Sequence, residues 1–178
     1  KLEKWIKSNW HWRKHVRSTS LAWIKEGLKN RCITRDLKWG IKVPLEKFKE
    51  KVLFCWYEAP IGYISSTKEW AEKIGKPKEW KKYWKNNSFI YHFLGKDNIP
   101  FHTIFWPAQL LAHGEFRLPY NVVGLHYCNY EGQKISKSKS WGIFCERIIA
   151  AGIEPDIWRY YLTYLIPETK DTEFRSEE

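Results

Sequence analysis

From Lys1 to about Leu28, apolar residues recur at helical spacing: Trp5, Ile6, Trp12 and Val16, then Leu21, Ile24 and Leu28. This spacing predicts two helices, with Gly27 ending the second. Thr34-Arg35-Asp36 followed by Trp39 to Pro44 predicts a turn and a short strand. Val52 to Tyr57 is an unbroken apolar run of the length of a strand buried on both faces. Pro60 opens a predicted helix to about Ile74, where Gly75 supplies the stop, and Pro77 opens another to about Trp84. Phe89 to Leu94 is a second buried-strand candidate, Pro100 to Ala112 a helix ended by Gly114, and Tyr120 to Tyr127 a third strand. A polar loop from Asn129 to Ser140 precedes helices over about Ile143–Ala151 and Pro155–Ile166. Apolar strands alternating with helices predict an α/β fold of parallel βαβ units. Ligands in such sheets sit beyond the C-terminal ends of the strands, so the informative residues are expected just after Tyr57, Leu94 and Tyr127.

Hydrophobic residues make up 43% of the 178 residues and aromatics 17%, with 12 Trp, which supports a packed core and argues against disorder. No run of ~18 apolar residues predicts a membrane span, and no signal peptide is visible. The chain begins at Lys1 and contains no Met, which predicts an internal or processed piece. A net charge of +11 favours a polyanionic partner, although the basic residues are scattered and also suit a solvated surface. Trp80-Lys81-Lys82-Tyr83-Trp84-Lys85 could stack on bases or form a packed face beside a charged one. Cys32, Cys55, Cys128 and Cys145 form no CxxC pair, so neither zinc nor a disulfide framework is expected, in keeping with a reducing, cytoplasmic setting. Cys55 and Cys128 lie in apolar runs and are expected to be buried. His11 and His15 would share a helix face, but the sequence between them does not match a metalloprotease motif.

Three stretches carry candidate chemistry. In Trp56-Tyr57-Glu58-Ala59-Pro60-Ile61-Gly62-Tyr63, a strand end, small residues and a helix start would let aromatics line an opening. In Leu94-Gly95-Lys96-Asp97-Asn98-Ile99-Pro100-Phe101-His102, Asp97 follows a strand end, where it could take an ammonium group or cap the next helix. Phe101 and Trp106 stand five residues apart and share a helical face only loosely. In Gly132 to Ser140, lysines alternate with small residues; such a loop can close over phosphates, though Lys/Ser runs are commonly plain exposed loop.

Lys134-Ile135-Ser136-Lys137-Ser138 resembles the KMSKS signature of class I aminoacyl-tRNA synthetases, with Ile135 where the motif has Met. Taken in order, WYEAPIGY, LGKDN, FHTIFWPA, YEGQKISKS and Glu154 to Tyr161 resemble the methionyl-tRNA synthetases, over about Arg31 to Phe174. The resemblance implies the second half of a Rossmann-type catalytic domain. Residues 1–30 would form the helical end of a connective insertion, 31–130 that second half, and 131–178 the lysine loop and the start of the stem-contact helices. It implies a methionine pocket of Trp56, Ala59, Pro60, Tyr63, Phe101, His102 and Trp106, with Asp97 on the ammonium. Lys134, Ser136, Lys137 and Ser138 would contact ATP, Lys134 and Lys137 acting on the leaving pyrophosphate. Methionine, ATP with Mg2+, tRNA(Met) and the missing first half of the domain are the implied partners. The HIGH signature, a zinc-bearing insertion and the anticodon-binding domain are absent from this stretch, so zinc is not expected here and the piece alone is expected to be inactive.

Three other readings remain at this stage: a class I synthetase for another amino acid, a non-catalytic tRNA-binding or scaffolding relative, and a generic basic RNA-binding module. The aromatic pocket argues against the first. The retained Asp97, Lys134 and Lys137 argue against the second, and the ordered motifs argue against the third.

Overall fold

A computed structural model describes residues 1–86 and 88–175. Helices α1 (Leu2–Ser8) and α2 (Lys14–Lys25) open the chain, followed by strand β1 (Thr34–Arg35) and strand β2 (Val52–Leu53). Next come α3 (Cys55–Glu58), α4 (Ile61–Lys73), α5 (Trp80–Trp84) and β3 (Tyr91–Gly95). A single 3-10 turn (Lys96–Asn98) and a π-helical turn (Phe101–Phe105) run into α6 (Trp106–His113). The remainder is β4 (Asn121–Leu125), β5 (Cys128–Tyr130), a 3-10 turn (Lys137–Lys139), α7 (Cys145–Ala150), α8 (Pro155–Tyr164) and β6 (Thr172–Phe174). The strands pair two by two: β1 with β2 antiparallel, β3 with β4, and β5 with β6 parallel.

The chain forms two compact units. One comprises Lys1–His92 and Pro100–Val122; the other comprises Phe93–Ile99 and the chain from Val123 onward. In the first unit, Ile64, Trp84, Trp106 and Leu110 form a buried cluster, with Trp80, Ile90, Phe116 and Leu118 packed against it. The four buried residues come from α4, α5 and α6, whose apolar stripes meet as their spacing predicts. The opening helices dock on the same unit. Ile6, Trp12 and Val16 are buried, and the Trp12 indole donates to the Tyr120 carbonyl at 2.8 Å. The buried Ser20 hydroxyl meets Thr103 Oγ1 at 2.8 Å, which ties α2 to the π-helical turn. In the second unit, the buried ring of Phe174 stacks on Trp158 and touches Tyr130 and Tyr161, joining the β5–β6 pair to α8.

Several sequence expectations need correction. Thr34–Arg35, expected in a turn, is strand β1, and of the strand expected over Trp39–Pro44 only Lys42 makes a bridge, to Val52. The run Val52–Tyr57 is a strand only at Val52–Leu53. At Phe54 the chain closes on itself: the Tyr57 and Ala59 amides donate to Phe54 and Cys55 carbonyls, each at 2.8 Å. A short apolar run suits a helical turn as well as a strand, and here only Val52 is fully buried. Cys55, at the start of that turn, is consequently exposed, and Cys128 is half-buried. Strand β3 is not covered on both faces, since Tyr91 and Phe93 are exposed and only His92 between them is buried. His11 and His15 do not share a helix face, because His11 lies in the turn between α1 and α2, its ring nitrogen on the Tyr120 carbonyl.

Candidate functional site

The first unit gathers most of the predicted pocket residues into two adjoining groups of rings. In the inner group, the Tyr63 hydroxyl and His102 Nε2 are hydrogen-bonded at 2.9 Å. The Tyr63 ring lies 5.4 Å from His92, 5.9 Å from His102 and 6.4 Å from Trp106, and the two imidazoles are 4.9 Å apart. Trp106 is 1% exposed and His102 8%, whereas Tyr63, on α4, is 42% exposed. The group is therefore dry beneath and open at the phenol. Pro60 is buried and Ala59 exposed, at the turn that opens α4.

The outer group holds Trp56 against Phe101, with ring centres 4.9 Å apart, and Phe101 against Phe105 at 5.2 Å. Trp56 is half-exposed, so it faces an opening. Both Trp56 and Phe101 line a cavity of about 850 Å³, together with Trp23, Arg31, Arg35 and Gln109. Arg31 lies over the Trp23 and Phe105 rings, and Arg35 over Phe54 at 3.9 Å. The Gln109 amide donates to the Tyr57 carbonyl at 2.8 Å, while its Oε1 is buried without a partner. Of the predicted pocket residues only Trp56 and Phe101 reach this cavity. Ala59, Pro60, Tyr63, His102 and Trp106 do not line it.

The π-helical turn explains how one helix serves both groups. The Trp106 amide donates to the Phe101 carbonyl, an i to i+5 bond. That wider turn stacks residues five apart one turn above each other, so Phe101 and Trp106 are closer in register than α-helical spacing predicts. Phe101 is then free to meet Trp56 while Trp106 anchors in the core against Trp84 at 6.1 Å.

His92 also belongs to the inner group, although no motif in the sequence marks it. Burial, and after it the neighbouring His102, pushes its pKa down to about 4. It is thus a neutral imidazole near pH 7. Its Nε2, like the Trp106 indole nitrogen, is buried without a partner. Two unsatisfied polar atoms on rings that touch Tyr63 are costly unless something completes them. The available signal was a titratable residue inside an apolar strand, between Tyr91 and Phe93.

The second unit holds Asp97 and the lysine loop. Asp97 is exposed on the 3-10 turn after β3. Its Oδ1 occupies the space above Gly95, 3.0 Å from where a Cβ would stand, so a side chain at Gly95 would displace the carboxylate. The loop is closed by Ser136 and Trp141, which exchange both backbone hydrogen bonds, at 2.9 and 3.0 Å. Between them Lys137–Lys139 make one 3-10 turn, ended by Ser140 in the left-handed region at φ 49. Ile135, which stands where the signature has Met, packs over Gly142. A Cβ at Gly142 would lie 2.9 Å from Ile135 Cγ2, and its φ of 134 is strained for other residues. Ser136 and Ser138 hydroxyls are 3.3 Å apart, and the Trp141 indole donates to the Tyr130 carbonyl at 3.1 Å. Lys134 and Lys137 are both exposed. Such a loop presents solvated ammonium groups from a backbone that is pinned at its base.

Among the described residues, no three His, Cys, Asp or Glu gather as a metal site, and no helix is long and apolar enough to cross a membrane.

The family described as tRNA synthetases class I (M) matches residues 1–178. Similar curated proteins include the methionine–tRNA ligase of Thermococcus kodakarensis, 48% identical over 197 residues, with 100% of this chain and 26% of that protein covered. Another is the methionine–tRNA ligase of Dehalococcoides mccartyi (strain CBDB1), 46% identical over 178 residues, with 99% of this chain and 32% of that protein covered. The chain thus spans about a quarter to a third of the length of the curated relatives it matches. Among solved structures, Mycobacterium tuberculosis methionyl-tRNA synthetase bound by methionyl-adenylate matches with a TM-score of 0.74 and 23% identity, covering 98% of this chain and 34% of that one. The α/β class expected from the alternating pattern is therefore the observed fold.

Proposed function

We infer, from the premise that this chain belongs to the class I tRNA synthetases (M), that it supplies the methionine pocket and the ATP-handling loop of a methionine–tRNA ligase. The observation that carries the reading is the Tyr63–His102 hydrogen bond of 2.9 Å set among Trp106, His92 and the adjoining Trp56–Phe101 pair. A thioether is soft and polarizable and gains from aromatic edges. One methylene in an apolar pocket is worth only ~1–3 kcal/mol, so shape alone discriminates weakly. Polar atoms beside the sulfur add what shape lacks, and the Tyr63 hydroxyl and His102 are those atoms.

In this reading Ala59 and Pro60 form the neck of the pocket, Trp56 and Phe101 its outer wall, and Asp97 takes the α-ammonium by a charge-assisted hydrogen bond. The methionine carboxylate oxygen attacks the α-phosphorus of ATP and the bond to pyrophosphate breaks. The terminal ribose hydroxyl of tRNA(Met) then attacks the acyl carbon and AMP leaves. No protein nucleophile is needed, so the chain contributes position and charge. Lys134 and Lys137 meet the charge that grows on the departing pyrophosphate, while Ser136 and Ser138 donate to phosphate oxygens. Mg2+ would arrive on the nucleotide phosphates and offset their charge. The enzyme would work in the cytoplasm. Residues 1–30 end the connective insertion, 31–130 complete the catalytic domain with its first half, and 131–178 carry the loop into the stem-contact helices.

The test uses the full-length enzyme. Lys137→Ala should lower methionine-dependent ATP–pyrophosphate exchange at least about 100-fold, as expected for a contact made mainly in the transition state. Methionine affinity, measured by calorimetry, should stay within about twofold of the unsubstituted enzyme. Unchanged exchange would refute the role, and exchange that does not require methionine would refute the substrate.

A further inference from the structure

We propose that Tyr127 and Asp171 are positioning residues for Lys134, the first lysine of the loop; this deepens the functional reading above and rests on it. Lys134 Nζ lies 4.4 Å from the centre of the Tyr127 ring, and Lys96 Nζ lies 4.5 Å from the same centre. Two ammonium groups at one ring repel each other unless one is neutralised. Asp171 neutralises Lys96, with Oδ1 2.8 Å from its Nζ. The same oxygen accepts the Tyr127 backbone amide at 2.9 Å, and His126 Nδ1 stands 3.6 Å from it. The Thr172 amide donates to the Tyr127 carbonyl at 2.9 Å, and β6 then runs beside β5 in parallel register. Asp171 therefore fixes the ring's backbone and cancels the charge that would push Lys134 away. The hydrogen bonds to Asp171 from Lys96 and from the Tyr127 amide hold its carboxyl below the usual carboxylate range, so the group is charged at neutral pH.

The choice of an aromatic face has a chemical consequence. A carboxylate partner for Lys134 would compete with a polyphosphate for the ammonium group. A ring face attracts the cation electrostatically but weakly when exposed. It can hold a long, rotamer-rich side chain near one place and still release it to a phosphate. Tyr127 thus narrows the region Lys134 searches without opposing its transfer to ATP.

The experiment is a double-substitution cycle in the full-length enzyme, read by methionine-dependent pyrophosphate exchange. Tyr127→Leu should lower kcat/KM for ATP about two- to fivefold, the range expected for an exposed cation–ring contact, with KM for methionine unchanged. Tyr127→Phe, which keeps the ring face, should restore the value of the unsubstituted enzyme. In the Lys134→Gln background, Tyr127→Leu and Asp171→Asn should cost nothing further, since a residue that acts through Lys134 cannot act when it is gone. A loss that persists in that background, whether from misfolding or from a direct contact, overturns the proposal, as does a Tyr127→Leu enzyme equal to the unsubstituted one. If the unsubstituted enzyme shows no methionine-dependent exchange, the functional reading itself falls; if it is active and the losses are additive, only the positioning role does.

Discussion

The ring group around His102 and the lysine loop around Lys137 are built on opposite principles. The rings are mostly buried. Trp106 and His102 are almost wholly excluded from solvent, and His92 is kept neutral by its surroundings. The loop is exposed and cationic, held at its base by contacts that include the Ser136–Trp141 exchange, the Ile135–Gly142 contact and a ring face under Lys134. Reading a thioether requires a dry surface whose shape exists before the ligand arrives. Supplying charge to a leaving group requires cations that stay hydrated until the moment of use, because a buried ammonium would shift its pKa and lose its charge. Damage to the rings should therefore appear in stability and methionine binding together, and damage to the loop in the rate alone.

The largest effect that separates the two regions is expected at Trp106. Trp106→Ala should cost ~3–5 kcal/mol of stability, read as an early unfolding transition in urea, together with loss of methionine binding. An enzyme of normal stability would mean that the inner rings are not the anchor. Acid should act next. His92 titrates near 6.5 when unfolded and at about 4 when folded. Between those values the unfolded chain binds more protons, so stability present above pH 6.5 falls as pH drops toward 4, by roughly 3 kcal/mol in total. His92→Phe should flatten that part of the stability–pH curve; an identical curve would exclude His92 as its source. The smallest effect belongs to the loop. Gly142→Ala forces a Cβ against Ile135 at a strained φ, a cost of ~1–3 kcal/mol that is local to the loop. It should slow exchange with methionine affinity unchanged. Weakened methionine binding in that variant would break the contrast between the two regions.

Helix positions were legible in the sequence because periodicity and the terminators Gly75 and Gly114 act locally; α4 and α6 end where those residues predict. Strands were less so. Val52–Tyr57 and Phe89–Leu94 are apolar enough for buried strands, yet the first curls at Phe54 and the second exposes Tyr91 and Phe93. An apolar run states that burial is available, not which backbone geometry takes it. Of the candidate site, the motif residues were visible through their resemblance to a family. The supporting residues were not: His92, Tyr127, Asp171 and the cavity residues Arg35 and Gln109 matter through contacts with residues distant in the chain, which spacing cannot report.

The π-helical turn at Phe101–Phe105 makes the number of residues there a constraint separate from their identity. Side chains along it can be exchanged for others of similar bulk, but removing one residue would relax the turn to ordinary α-helix and swivel the Trp56-facing wall relative to the Trp106 anchor. A replacement at this place in the chain is thus tolerated where a deletion is not.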